Sequence, residues 1–308
     1  SSRVGYLVIT SCDSQASMAA LRPPTNEELQ ARWNAFADLY ESHFFTWSEP
    51  ALHSAISALG LRCVDGKECC VLDVGCGPGQ DIAAIRANAP QSKLVAVDYS
   101  SEMIEKASAR AAESAAEAHV DDAQTLATIE DCSVDRLLSN LCIHLIPDAE
   151  RAISSFFRVL KPGGLVCASV WGTREASPMF TIQGKATAEG VARGELPPEL
   201  AAPKTVRDNF HMGSDDSALR NRFISAGFER VISWHVQCVW PEWGTGPGSK
   251  FAESFLSSTI DSVQLMGKLS EEQQAVLMRE LTKQADDVLL SGRVIGCDVV
   301  LVCASKPS

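Results

Sequence analysis

The stretch Val71-Leu72-Asp73-Val74-Gly75-Cys76-Gly77-Pro78-Gly79-Gln80-Asp81 constrains the fold more than any other part of the chain. A short apolar, β-branched run passes into three glycines at alternate positions and then into a helix-forming segment. Glycines at 75, 77 and 79 let the backbone turn tightly and leave no Cβ between the loop and a ligand lying across the strand end. The dinucleotide pattern Gly-x-Gly-x-x-Gly would need a glycine where the chain has Gln80, and Pro78 stiffens the turn. Asp73, ahead of the first glycine, would repel a pyrophosphate but suits a ligand bearing an amino group. The spacing favours a nucleoside carrying an amino acid over a dinucleotide, which also disfavours a nicotinamide oxidoreductase.

The chain around this loop keeps a strand–helix rhythm. Thr25-x-x-Glu28 is a capping box that opens a helix with Leu29, Trp33, Phe36, Ala37 and Tyr40 at helical spacing. A short helix follows over Pro50–Leu59. Strands are predicted at Cys70–Val74, Leu94–Asp98, His119–Val120, Val134–Ser139 and Leu165–Trp171, with helices at Asp81–Asn88, Ser101–Ala116 and Asp148–Leu160 between them. Lys161-Pro162-Gly163-Gly164 reads as the stop of the last of these helices. Such alternation implies parallel β-α-β units with helices on both faces of a sheet.

After Trp171 the rhythm breaks. Residues 173–213 carry Pro178, Pro197, Pro198 and Pro203 and suggest short helical pieces forming a lid or cap. The core resumes with a helix at Asp216–Ala226 and a strand at Arg230–Val239. A second insertion over 240–293 holds a helix with Phe251, Phe255, Ile260 and Val263 inward and another opened by the capping box Ser270-x-x-Gln273. Val294–Ala304 supplies a final apolar strand.

Composition narrows the function classes. The chain has 308 residues and a formal net charge of −12, without a basic tail or Lys/Arg cluster. A general nucleic-acid binder needs that positive footprint, so nucleic acid is disfavoured as a partner. No apolar run reaches the roughly 18 residues of a membrane span. Met18 stands before an Ala-rich stretch, so residues 1–17 read as a leader, and residues 1–24 as an extension ahead of one domain over 25–308. The eleven cysteines contain no Cys-x-x-Cys pair and no His at finger-like spacing. Their odd number and their places in apolar strands (Cys142, Cys167, Cys303) fit reduced, buried thiols and a cytoplasmic protein. No metal site is expected.

Two further acidic positions join the glycine loop. Asp98 ends the second predicted strand, where a carboxylate accepts both hydroxyls of a ribose in nucleoside-binding doubly wound folds. Asp121-Asp122-Ala123 follows the third strand. One of its carboxylates is placed to receive an adenine amino group while Ala123 lets the ring approach the backbone. Met103 is a candidate to flank that ring, although a methionine on a helix face is more often core.

These motifs resemble those of the class I S-adenosylmethionine-dependent methyltransferases, in particular the branch with the ubiquinone/menaquinone-biosynthesis type and many small-molecule enzymes. VLDVGCGPG at 71–79, VAVDYSSEMIEKA at 95–107, DDAQTL at 121–126, SNLCIHLIPD at 139–148 and RVLKPGGLVCASVWG at 158–172 occur in family order. AGFERV at 226–231 extends the likeness. The resemblance implies an α/β, Rossmann-like, doubly wound, seven-stranded and mostly parallel sheet with helical cap insertions at about 173–213 and 240–293. It implies that Asp73 and the loop Gly75, Cys76, Gly77 and Gly79 meet the methionine end of S-adenosylmethionine, and that Asp98, with Tyr99 beside it, binds the ribose. Asp122 and Ala123 would read the adenine, with Asp121 the alternative one register away. Asn140 and Leu141 would line the sulfonium side, and Tyr40 would close over the methionine carboxylate.

The implied reaction is methyl transfer to a small organic molecule, leaving S-adenosylhomocysteine. The alternative is a cofactor-binding, non-catalytic partner or activator protein, although no motif is visibly broken. Methyl transfer from a sulfonium is an in-line displacement, so alignment of the acceptor does most of the work. A general base is needed only for a poorly ionised hydroxyl or an acidic carbon. His144 is the best-placed base, against the bland reading of a histidine packed beneath its loop. Trp171 stands equally for an acceptor-pocket wall and for core. Arg174, Lys185 and Arg193 are candidates for a substrate carboxylate or for a solvated face. Absence of an Asn/Asp-Pro-Pro-Tyr motif after the fourth strand argues against methylation of base or amide nitrogen.

Overall fold

The computed structural model describes residues 26–43, 47–64, 69–201, 209–239, 244–258 and 260–308. The expected extension over 1–24, Thr25 of the first capping box and Pro203 lie outside the described residues, as does the side chain of Ile260.

Seven strands form one sheet: β1 (Cys70–Val74), β2 (Lys93–Asp98), β3 (Glu117–Val120), β4 (Val134–Ser139), β5 (Leu160–Trp171), β6 (Glu229–Val239) and β7 (Gly296–Ser305). Their order is β3-β2-β1-β4-β5-β7-β6, and only β7 runs antiparallel to its neighbours. The expected mostly parallel doubly wound sheet is what the chain forms. Because β2 and β3 lie to one side of β1 and the later strands to the other, the order reverses between β1 and β4. A crevice opens outside the strand ends at such a switch point.

Ten helices cover the faces: α1 (Asn26–His43), α2 (Glu49–Ala58), α3 (Gln80–Asn88), α4 (Ser101–Glu113), α5 (Ala149–Val159), α6 (Pro178–Ala192), α7 (Asp216–Ser225), α8 (Gly248–Ser258), α9 (Ile260–Met266) and α10 (Glu271–Leu290) among the described residues. One face of the sheet buries Val71, Ala96, Leu138 and Cys167 with Ile82, Ile85 and Ala107 from α3 and α4. The other buries Leu72, Val97 and Leu137 with Ile153 and Phe156 of α5 and Phe223 of α7. The strand period of two separates these sets.

Helix starts follow their caps. Ser100 Oγ accepts the Met103 N–H, Asp148 accepts the Arg151 N–H, and Asp215 accepts from Ser217 and Ala218. The box at Ser270 and Gln273 forms with both reciprocal hydrogen bonds.

Four expectations need correction. The helix from Ser101 ends at Glu113, because Ala115 takes a left-handed backbone (φ +50°) and Arg86 donates to the Ser114 and Ala115 carbonyls that the turn leaves free. β5 begins at Leu160, since Lys161-Pro162-Gly163-Gly164 is a bulge within the strand: Val134 pairs with Leu160, yet Arg136 pairs with Leu165. In the first insertion a 15-residue helix, α6, longer than expected, precedes a short 3-10 turn at Pro198–Ala201 among the described residues. In the second, Val263 is half exposed rather than inward. Phe251 and Phe255 are buried as expected.

Candidate functional site

The glycine loop sits at the switch point, laced to the end of β2. Gly75 and Cys76 both donate to the Val97 carbonyl, at 2.8 and 3.1 Å. Gly77 N–H donates to Asp98 Oδ2 at 2.9 Å, and Ser100 N–H donates to Asp98 Oδ1 at 2.9 Å. Gly75 has φ +76°, and a Cβ there would lie 2.2 Å from Cys142 Sγ, so no other residue fits. A Cβ on Gly77 would meet nothing nearer than the Tyr40 ring at 3.8 Å. Gly77 therefore has room for a Cβ in ordinary contact with Tyr40, while Gly75 is clamped.

Three carboxylates converge on this loop. Asp73 is 1% exposed, and neither of its oxygens has a hydrogen-bond partner. Burial, then the charges of Asp81 and Asp98, push its carboxyl well above the usual range. Asp81, in the first turn of α3, is pushed up to about 7 by burial, against a hydrogen bond from Asn140 and with the charge of Glu49 adding to the rise. Burial also raises Asp98, opposed by the backbone N–H groups of Ser100, Gly77 and Tyr99. Lys106 and Arg110 of α4 pair instead with Asp38 and Glu41 of α1. The pocket thus gathers three carboxyl groups, and one buried carboxyl in it has its hydrogen-bonding capacity unused. Such a group costs folding free energy unless a donor arrives.

Tyr40 reaches the same loop from α1. Its phenol is pushed up to about 12, chiefly by burial, and it interacts with the Gln80 side chain and the charges of Asp81 and Asp98. Asn140 follows β4. Its amide donates to Asp81 Oδ2 at 3.2 Å, its carbonyl accepts from Ser169 Oγ at 2.7 Å, and Ser169 Oγ in turn accepts the Leu141 N–H at 2.8 Å. Leu141 is held in the left-handed region, with φ +53°. A cavity of about 110 Å³ opens beside Asp81 and Gln80, walled by Ser48, Glu49, Leu52 and His53 of the α2 region.

The structure separates Asp121 from Asp122. Asp121 accepts from the Asp122, Ala127 and Thr128 N–H groups and from Thr128 Oγ1, so it builds the loop. Asp122 accepts only from Gln124, through its backbone and its side-chain amide, and remains half-buried. Tyr99 lies beside it, its phenol raised by burial and by the Asp122 charge. Ala123 packs at the margin of the second core. Met103 is buried in α4, its N–H capped by Ser100.

His144 and Trp171 come together behind the β4 and β5 ends. His144 is 1% exposed, with its ring centroid 5.9 Å from that of Trp171. Trp171 stacks on Phe180 at 4.2 Å and meets Phe210 at 5.1 Å, while Arg174 lies over Phe210 at 4.9 Å. Trp47 closes the cluster against Phe180 at 5.6 Å. Arg193 is committed to Glu280 and Glu195, bracing α6 against α10. Among the described residues no three His, Cys, Asp or Glu side chains gather as a metal site, and no helix is long and apolar enough to cross a membrane.

Sequence reasoning missed Asp81, Ser169 and the α2 wall. Asp81 stood in plain view at the third position after Pro78, but a carboxylate in the first turn of a helix is ordinary capping chemistry.

Residues 71–164 match a family described as Methyltransferase domain. A malonyl-[acyl-carrier protein] O-methyltransferase of Xylella fastidiosa is 35% identical over 103 residues, 33% of this chain and 35% of that protein. A trans-aconitate 2-methyltransferase of Variovorax paradoxus is 33% identical over 105 residues, 34% of this chain and 39% of that protein. The chain therefore spans little more than a third of the length of these curated relatives. In fold it is similar to the [4+2]-cyclase SpnF, with a TM-score of 0.55 and 19% identity over 92% of this chain and 97% of that one.

Proposed function

We propose that this chain, which belongs to the class I S-adenosylmethionine-dependent methyltransferase superfamily, moves the methyl group of S-adenosylmethionine to a small organic acceptor. The observation that carries the reading is Asp73, buried at the glycine loop with both carboxylate oxygens unused. An ammonium group supplies the donors and the opposite charge that this carboxylate lacks. The pocket fits the rest of the nucleoside as well, since Asp98 can exchange its hydrogen bonds from Gly77 and Ser100 for ribose hydroxyls.

In this reading Gly75, Cys76, Gly77 and Gly79 floor the methionine end and Tyr40 covers its carboxylate. Asp122 and Ala123 read the adenine, with Tyr99 and Met103 flanking it. Asp122 is preferred over Asp121 because the latter has spent its acceptors on its own loop. Asn140 and Leu141 line the sulfonium side. When bound, the cofactor supplies an electrophilic methyl group for in-line displacement. The chain contributes alignment and exclusion of water, through α6, α8 and α10 acting as a cap on a single domain over residues 25–308.

The burial of His144 and its packing against Trp171 favour a supporting role for both rings over a base or an acceptor-pocket wall. The net charge of −12 supports a small acceptor over nucleic acid. The two relatives, named for malonyl-[acyl-carrier protein] and trans-aconitate, support an organic acceptor. A cytoplasmic location belongs to the same proposal, supported by the unpaired thiols of Cys63, Cys69, Cys70, Cys76 and Cys142.

Calorimetric titration with S-adenosylhomocysteine, run beside NAD and repeated on Asp98→Ala, tests the cofactor assignment. Binding of the homocysteine nucleoside alone, lost in the variant, is the expected result. Preference for NAD, or no binding, would overturn it. Turnover is then sought with organic acceptors by following release of S-adenosylhomocysteine.

A further inference from the structure

We propose that Asp81 is the residue by which this pocket distinguishes the charged sulfonium donor from its neutral thioether product, favouring entry of the one and release of the other. The inference rests on the cofactor reading above and goes beyond it in assigning a task to a carboxylate that the reading leaves unused.

The argument is one of charge and placement. Asp73 and Asp81 are buried and Asp98 half-buried at one loop, and Lys106 and Arg110 form ion pairs with Asp38 and Glu41. A nucleoside amino acid gives two of them work: its ammonium meets Asp73 and its ribose hydroxyls meet Asp98. Asp81 remains. It stands on the first turn of α3, linked across the crevice to Asn140 on the other side of the switch point. Asn140 cannot turn away, because Ser169 Oγ holds its carbonyl at 2.7 Å and is itself fixed by the Leu141 N–H at 2.8 Å. One Asp81 oxygen is thereby engaged, and the carboxylate borders the open cavity beside Gln80.

The donor carries an ammonium, a carboxylate and a sulfonium, and so a net charge of about +1 at neutral pH; the product has lost the sulfonium charge and is neutral overall. Asp81, joined to the Asn140 that the reading sets beside the sulfur, attracts the first in its ionised form and is left uncompensated by the second. In a site of low dielectric that difference outweighs the loss of one methyl contact. The device lowers product retention without needing any moving part.

The test is the ratio of the two dissociation constants, measured by calorimetry for the wild type and for Asp81→Asn, which keeps the shape and a hydrogen-bonding partner for Asn140. Expected is a weakening of S-adenosylmethionine binding by about tenfold, with S-adenosylhomocysteine changed by less than about twofold. Equal weakening of both ligands would overturn this inference and leave the cofactor reading standing. No binding of either ligand by the wild type would overturn both. Should Asp81→Asn fail to fold, the wild type is titrated with S-adenosylhomocysteine and its analogue carrying a protonated nitrogen in place of sulfur. A preference of about tenfold for the cationic analogue supports the assignment, and equal affinity refutes it.

Discussion

His235 Nδ1 lies 2.8 Å from Asp298 Oδ1, and the contact ties the outer strand β6 to its neighbour β7. Asp298 is buried, and its other oxygen accepts the Thr173 N–H at 2.9 Å. The second ring nitrogen of His235 lies 3.1 Å from Asp216 at the start of α7. Burial pulls the His235 pKa down, but the hydrogen bond to Asp298 and the charges of Asp298 and Asp216 outweigh it and raise it. A raised histidine stabilises the fold fully below its unfolded value of about 6.5, and the contribution is lost as pH rises through the folded value. Substituting His235→Gln should lower the melting temperature at pH 6 and do so less at pH 9. With almost half the side chain exposed, the cost at pH 6 is about 1 kcal/mol. A thermal melt of both proteins across pH 6–9 checks it, and a pH-independent difference would remove the charge argument.

The acidic pocket predicts a trend of the same sign, set at lower pH. Asp73, Asp81 and Asp98 all have raised carboxyls in the folded protein, Asp81 at about 7. An acid raised on folding binds more protons folded than unfolded, so stability falls as pH climbs from the unfolded value of about 4 through the folded one. The ligand-free protein should therefore lose melting temperature between pH 5 and pH 8. Asp73→Asn should flatten that loss and raise ligand-free stability at pH 8, by about 1–3 kcal/mol, while weakening nucleoside binding. A variant less stable than the wild type at pH 8 would show that Asp73 already has a partner.

Asp121 and Asp122 are neighbours with separable duties. Removing Asp121 strands three backbone N–H donors and the Thr128 hydroxyl. Asp121→Ala should cost about 2–4 kcal/mol by chemical denaturation, since a hydrogen-bonded network is lost. Asp122→Ala should cost less than about 1 kcal/mol and instead weaken S-adenosylhomocysteine binding. The reverse pattern would move the adenine contact back one register.

The two Asp residues also show where sequence reading stops. The strand at Cys70–Val74 was legible to the residue, because an apolar run ends there on glycine and the chain can only turn. Asp98 was legible for the same reason, as the polar residue that closes an apolar strand. Which of two adjacent carboxylates folds back on its own loop depends on where residues 127 and 128 come to rest, and no periodicity records that. Lys161-Pro162-Gly163-Gly164 carries a helix-stop signature that a bulged strand shares. The Asp81–Asn140 contact joins positions 59 residues apart in sequence, and only the closing of β1 beside β4 brings them together.

The glycine loop gives the sharpest contrast between fold and function. An added Cβ at Gly75 would lie 2.2 Å from Cys142 Sγ and 2.6 Å from Cys142 Cβ, on a residue whose φ of +76° already penalises any side chain. At Gly77 the φ is +53°, but the nearest atom stands at 3.8 Å. Gly75→Ala must displace Cys142 and the β4 end with it, so a loss of about 3 kcal/mol or more is expected, from overpacking and backbone strain together. Gly77→Ala carries only the strain, about 1 kcal/mol, and puts its methyl group into the space assigned to the ligand. It should melt within a few degrees of the wild type yet bind S-adenosylhomocysteine at least about tenfold more weakly. Calorimetry and thermal melting on the pair decide the matter: if Gly77→Ala bound the nucleoside normally, the open face of the loop would not be the ligand floor.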